Sequence, residues 1–335
     1  MITSTIENQS IGKERIDRSY NGNAIENESK GKSGCTTKQL LLAIVPITAV
    51  LLFAAIFIPI YVVKHKDDDD DDKRCIIYNN PIEEEVFDEY EEEVVNITYA
   101  TLTPKGGYDN ILIFLGGISD VSNKYFDLFK SNNTFVPNGT KIYFLSGQPR
   151  QMQFMIDYYN YSDPVPGWFN IDSQANLVPP NDFTQAKESL NIVLDEIDRI
   201  KNDENVDYKN IYLSGFSQGA MMTNYILLNS RNELGGYIAY SGYVFDHEFP
   251  SNTIVTELNS QQKEKLEARK NYHVLATHSY LDDGVFYDLA AMTYQRYYKD
   301  YTDFKLLSFG SLPHVFREQP IHPFVKKWLK ESMGK

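Results

Sequence analysis

A β-branched and aromatic run, Ile211-Tyr212-Leu213, leads into Gly215-Phe216-Ser217-Gln218-Gly219, and a helix-forming run beginning Ala220-Met221-Met222 leaves it. Strand, Gly-x-Ser-x-Gly and helix in that order constrain this chain more than any other stretch. The two glycines stand where a tight strand-to-helix turn leaves no room for side chains. Such a turn lifts the Ser217 hydroxyl above the sheet edge, at a helix N-terminus that favours developing negative charge. The alternative for these five residues is an ordinary strand-to-helix turn. What separates the two is whether an acid and a histidine follow at later strand ends.

The surrounding pattern supplies the sheet. Short apolar runs at 110–115, 141–145, 210–213, 236–240, 273–277 and 304–308 read as six strands. Their near-continuous apolarity suits a parallel sheet buried on both faces. Residues 183–200 carry Ala186, Leu190, Val193, Leu194, Ile197 and Ile200 on one helical stripe, and 221–228, 287–298 and 323–330 read as further helices. Alternating β and α predicts a doubly wound, mostly parallel α/β fold, with ligands at the carboxyl ends of the strands, where Ser217 stands.

Of the six histidines, His314 fits a catalytic position best, in a loop just after the last strand; His278, at a strand end, is second. The acid is expected after the preceding strand, at Asp282 or Asp283, where it would orient the imidazole and stabilise its charged form. The order Ser217, Asp282, His314 is that of α/β-hydrolases. An oxyanion hole needs two backbone N–H groups, one from Gln218 and one from the loop after an earlier strand. That loop is Gly116-Gly117-Ile118-Ser119-Asp120, and Ile118 is its natural donor; a plain tight turn is the alternative for the glycine pair.

The N-terminal third reads differently. Residues 1–38 are polar and low in apolar content, as a disordered tail is. Residues 40–63 are an uncharged 24-residue run, long enough to span ~30 Å of hydrocarbon as a helix. The run exceeds a signal-peptide core and has no small-x-small site after it, so residues 39–63 are expected to be a single membrane anchor. Residues 64–94 read as an acidic stalk and 95–335 as the catalytic domain. Between 67 and 93 there are 14 acidic residues against Lys73 and Arg74, so most of the chain's net charge of −14 belongs to a self-repelling spacer. No basic stripe supports nucleic-acid binding.

Lysines flank both ends of the apolar run, so charge does not fix orientation. Asn-x-Ser/Thr acceptor patterns stand on both sides, at Asn8 and Asn27 before the run and at Asn96, Asn132, Asn138 and Asn160 after it, and the long C-terminal domain favours a lumenal or extracellular side. Cys35 and Cys75, the only cysteines, stand on opposite sides of the run and cannot pair within one chain. Cys35 is a candidate for S-acylation and Cys75 for a cross-link between chains, with two free thiols as the plainer reading.

The segments Gly215-Phe-Ser-Gln-Gly-Ala220, Leu115-Gly-Gly-Ile-Ser-Asp120, Pro149-Arg150, Pro166-Gly-Trp-Phe-Asn-Ile171 and His278-x-x-x-Asp282, with the His314 loop, together resemble the acyl-protein thioesterase, lysophospholipase and carboxylesterase family. The resemblance runs from about residue 110 to 329. It implies an α/β-hydrolase without metal or cofactor, acting on esters or thioesters of acyl chains. By that likeness Ser217 attacks the acyl carbonyl, His314 takes its proton, Gln218 and Ile118 hold the oxyanion, and Trp168 and Gly117 lie along the substrate. The alternative for Trp168 is a packing aromatic. The chain departs from the family at Gly116, where the family has His, at Ser279, where it has Gly, and at Asn170, where it has Asp. Two other readings of the same residues are a carbohydrate- or small-ester hydrolase and an inactive binding domain on the same fold. The pattern gives no oligomeric state.

Overall fold

The computed structural model describes residues 88–334, apart from 132–134, 172–182, 246–257, 259, 311 and 318, together with residues 62–63 and 76–77. All of these lie in the unit from Pro59 to Lys335. The strands are β1 (Val62–Val63), β2 (Ile76–Ile77), β3 (Tyr90–Asn96), β4 (Tyr99–Pro104), β5 (Asn110–Leu115), β6 (Thr140–Leu145), β7 (Pro149–Arg150), β8 (Val165–Pro166), β9 (Ile211–Phe216), β10 (Gly236–Tyr240), β11 (Val274–Ser279) and β12 (Phe304–Phe309). The helices are α1 (Phe126–Ser131), α2 (Gln153–Tyr159), α3 (Thr184–Asp203), α4 (Gln218–Asn229), α5 (Ser260–Glu267), α6 (Tyr287–Tyr298) and α7 (His322–Ser332).

Eight strands form one sheet in the order β12-β11-β10-β9-β5-β6-β4-β3. The first six run parallel, and β4 and β3 are antiparallel at one edge. All six expected strands are present, within one to three residues at their ends. Alternation explains the two-sided core. On β5, Ile111, Ile113 and Leu115 join the cluster on one face, and Leu112 and Phe114 join the other. On β9, Ile211 and Leu213 face one way, Tyr212 and Phe216 the other. Helix α3 buries Ala186, Leu190, Val193, Ile197 and Ile200 on the first face. Each of its larger aliphatic side chains contributes about 1.5–3 kcal/mol by leaving water.

Two features differ from the sequence reading. The stretch expected to be stalk as far as residue 94 enters the sheet at Tyr90, because β3 pairs antiparallel with β4. Glu91, Glu92 and Glu93 are exposed there, as charges on an edge strand are, and discourage pairing with another chain. The run expected to span a membrane lies outside the described residues up to position 61. Its last two residues form β1, antiparallel to β2. Among the described residues no helix is long and apolar enough to cross a membrane.

Helix α4 is buried along most of its length, and its first turn crosses the carboxyl end of β5. A Cβ built on Gly219 would stand 2.1 Å from the Leu115 carbonyl oxygen, and one on Gly215 would stand 2.4 Å from the Gly219 carbonyl carbon. Both obstacles are backbone, so neither yields by a side-chain rotation. Gly106, by contrast, has nothing within 4 Å of an added Cβ. Gly219→Ala is therefore expected to cost about 1–3 kcal/mol or more in urea unfolding, as overpacking does, while Gly106→Ala stays within ~0.5 kcal/mol; equal midpoints for the two variants would contradict this packing.

Candidate active site

Ser217 is the single residue between β9 and α4. Its backbone sits at φ 56° and ψ −120°, a left-handed conformation that a non-glycine residue adopts at an energetic cost. The surroundings hold it there: its N–H donates to the Tyr240 carbonyl at 2.9 Å, and its carbonyl accepts from Met221 N–H at 3.1 Å. The side chain makes no cap bond to its own helix, and its hydroxyl instead meets an imidazole.

That imidazole is His314. Its Nε2 lies 2.7 Å from Ser217 Oγ, and its Nδ1 lies 2.8 and 2.9 Å from the two carboxylate oxygens of Asp282. Asp282 is buried, and its Oδ1 also accepts the Gly284 and Val285 amides at 3.0 and 2.7 Å. Burial opposes its charge, but the bond to His314, the charge on that ring and the Val285 amide outweigh it and hold the carboxyl below its ordinary range. Asp283, the other candidate acid, accepts the His314 backbone N–H at 2.8 Å instead. The two adjacent acids thus divide the histidine between them, one taking the ring and the other the main chain.

Phe216 stacks on the His314 ring at 4.8 Å, and a Cβ on Gly284 would come within 2.5 Å of His314 Cγ, so the ring is hemmed on both sides. His278 does not reach Ser217. It is fully buried, its Nε2 donates to the Val285 carbonyl at 2.7 Å, and burial lowers its pKa.

The backbone amides of the loop after β5 are almost all engaged, within the loop or by neighbouring strands. Gly116 N–H donates to Leu145 O, Gly117 N–H to Asp120 Oδ2, Ser119 N–H to Pro166 O and Asp120 N–H to Gly117 O. Among the described residues, the Ile118 N–H alone in this loop has no acceptor. Ile118 and Gln218 both line the cavity that opens above Ser217. Asp120 is buried and also accepts from the Tyr125 hydroxyl at 2.6 Å and from the Lys124 ammonium, so its carboxylate is well supplied with donors.

The cavity above Ser217 encloses about 490 Å³. Phe154, Met155, Ile171, Met221 and Val285 give it an apolar wall; Ser119, Lys124 and Asp283 give it a polar rim. Gly117 lines it as expected, but Trp168 does not. Trp168 is 2% exposed, and its indole N–H donates to the Gly116 carbonyl at 2.8 Å. The apolar wall from α2 was not read from sequence, because seven residues are too few for a helical period. The apolar pairs around Phe154 and Met155 were its one legible trace. A larger cleft of about 620 Å³ lies between the sheet and α3, lined by Tyr99, Tyr143 and Arg199. Within it Lys141 pairs with Glu204 at 2.8 Å and Arg199 with Glu196 at 2.5 Å, and it holds neither Ser217 nor His314.

The chain resembles known proteins in both sequence and fold. Residues 98–331 match the family model described as Phospholipase/Carboxylesterase. Acyl-protein thioesterase 1 of Kluyveromyces lactis is 38% identical over 79 residues, 24% of this chain and 34% of that protein. The homolog 1 of acyl-protein thioesterase 1 from Dictyostelium discoideum is 31% identical over 29% of this chain and 42% of its own. This chain therefore spans less than half the length of either of those relatives. Acyl-protein thioesterase 1 of Cryptococcus neoformans var. neoformans serotype D is 24% identical over 71% of this chain and 98% of its own. Among solved structures, Zea mays acyl-protein thioesterase 2 superposes with a TM-score of 0.52 at 18% identity, covering 70% of this chain and 99% of that one, which shows the shared fold. With a family model covering most of the chain, this protein belongs to the Phospholipase/Carboxylesterase family and has an α/β-hydrolase fold.

Proposed function

We propose that the protein hydrolyses carboxylic esters or thioesters of acyl chains through Ser217, His314 and Asp282. The observation that carries this reading is the 2.7 Å contact between Ser217 Oγ and His314 Nε2, continued by Asp282 on the far side of the ring. Ser217 Oγ attacks the acyl carbonyl carbon while His314 Nε2 takes its proton, and the Asp282 carboxylate stabilises the imidazolium. The carbonyl oxygen, now an anion, is held by the Ile118 and Gln218 amides. His314 returns the proton to the departing alcohol or thiol, leaving an acyl-serine. A water then attacks with His314 as base, and collapse of the second adduct frees the fatty acid and Ser217. The apolar wall of Phe154, Met155 and Met221 suits an acyl chain better than a sugar. The relatives named acyl-protein thioesterase favour the thioester branch. The apolar run of residues 40–63 carries a membrane anchor that places the domain in a lumenal or extracellular space; its uncharged length and the long domain after it support this part.

A fluorophosphonate probe should label the wild type and not Ser217→Ala, and this variant should lose p-nitrophenyl ester hydrolysis; an unlabelled but folded wild type would sink the enzymatic reading. Asp282→Asn should lower kcat by about 10³–10⁴-fold, and Asp283→Asn by far less. Because the Asp282 carboxyl is held below its ordinary pKa, it adds stability that is present above the unfolded value of ~3.9 and is lost as pH falls through the folded value. The stability gap between wild type and Asp282→Asn should therefore narrow on acidification below about pH 4, and a gap that widens there would contradict the assignment. For the location, endoglycosidase treatment should shift the mobility of the wild type more than that of Asn96→Gln; a domain without glycan and shielded from external protease would place it in the cytosol.

A further inference from the structure

The proposed reaction needs the Gln218 and Ile118 amides at a fixed separation, yet they belong to different segments, the start of α4 and the loop after β5. Resting on that reading, we propose that Trp168 is a positioning residue that sets the oxyanion hole, and that it works with the Gln218 side chain as one brace.

Trp168 stands outside the catalytic cavity and is bonded to both segments at once. Its backbone N–H donates to Gln218 Oε1 at 2.8 Å, and its indole Nε1–H donates to the Gly116 carbonyl at 2.8 Å. Gln218 closes the connection from its own side, since its Nε2 donates to the Phe169 carbonyl at 2.6 Å. The brace is tied to the scaffold by Ser189 of α3, whose hydroxyl donates to the Trp168 carbonyl at 2.5 Å, and by Arg150, whose Nε donates to the Gly167 carbonyl at 3.2 Å. Trp168 and Gln218 are both almost completely buried, so these bonds do not compete with water.

The loop needs such a brace because Gly116 and Gly117 have no side chains to pack, and paired glycines give a backbone its widest freedom. The peptide group joining them is gripped at both ends: its carbonyl takes the Trp168 indole N–H, and its N–H donates to Asp120. With that plane fixed, the next amide, Ile118 N–H, has one direction to point. Without the indole N–H the carbonyl end is released, and the donor can drift. A displacement of about 1 Å at a catalytic group costs roughly 100-fold in rate.

The test uses the full-length protein and replaces the Trp168 indole by its sulfur isostere, benzothienylalanine, which keeps the ring and removes only the N–H; Trp168→Phe is the simpler companion. The expected result is a kcat for p-nitrophenyl butyrate lowered about 10- to 100-fold with KM within ~3-fold. Affinity for a trifluoromethyl ketone, whose adduct carries the oxyanion, should fall in parallel, while that for an unreactive amide analogue holds. Gln218→Met keeps its backbone amide and should show the same split. The double variant should lose less than the product of the single losses, because both act through one brace. If the Trp168 variants do not fold, Gln218→Met decides alone. Unchanged kcat and ketone affinity in a folded variant, or losses that multiply in the double variant, overturn the brace. A wild type that neither hydrolyses ester nor reacts with fluorophosphonate overturns the enzymatic reading along with it.

Discussion

The contact on which the rest of the structure depends is the crossing of α4 over the carboxyl end of β5, glycine against carbonyl. It lets a fully buried helix start directly beneath the loop that follows β5. It also forces Ser217, the one residue between strand and helix, into a conformation that most residues avoid. The strain is local and is held by ordinary backbone hydrogen bonds to the neighbouring strand β10 and into α4. Packing at two glycines thus decides where the reactive hydroxyl stands and which amides surround it.

Around that fixed point the electrostatics are arranged by burial and donor count. A buried carboxylate is costly unless it is hydrogen-bonded. Asp282 meets that condition with two backbone amides and the His314 ring, which keeps it ionised and keeps the ring in place. Asp120 meets it with a backbone amide, a tyrosine hydroxyl and a lysine, and in return pins the Gly117 amide. Both buried acids therefore act on backbone geometry as much as on charge.

Much of this was legible in the residue order. Buried parallel strands leave near-continuous apolar runs, so β5, β6, β9, β10, β11 and β12 announced themselves. Ser217, Asp282 and His314 follow the ends of β9, β11 and β12, so their order was readable while the choice between Asp282 and Asp283 was not. Two neighbours on one turn point in different directions, and only the folded loop separates ring from main chain. The β3–β4 hairpin was missed because an edge strand carrying Glu91, Glu92 and Glu93 looks like a solvated charge run. Trp168 was expected beside the substrate, because a motif records that a tryptophan is needed and not which of its faces is used.

The strand order has one more consequence. Ser217 follows β9 at the middle of the sheet, but Asp282 and His314 follow β11 and β12, the last two strands at one margin. Strand β12 is only partly buried along most of its length. Margins of a sheet open at lower free energy than its centre. Fraying of this margin separates the imidazole from the hydroxyl while the elbow and its core stay folded. On the proposed mechanism, chemical competence would then be a property of the least protected part of the domain, surrendered on heating or in denaturant before the fold is.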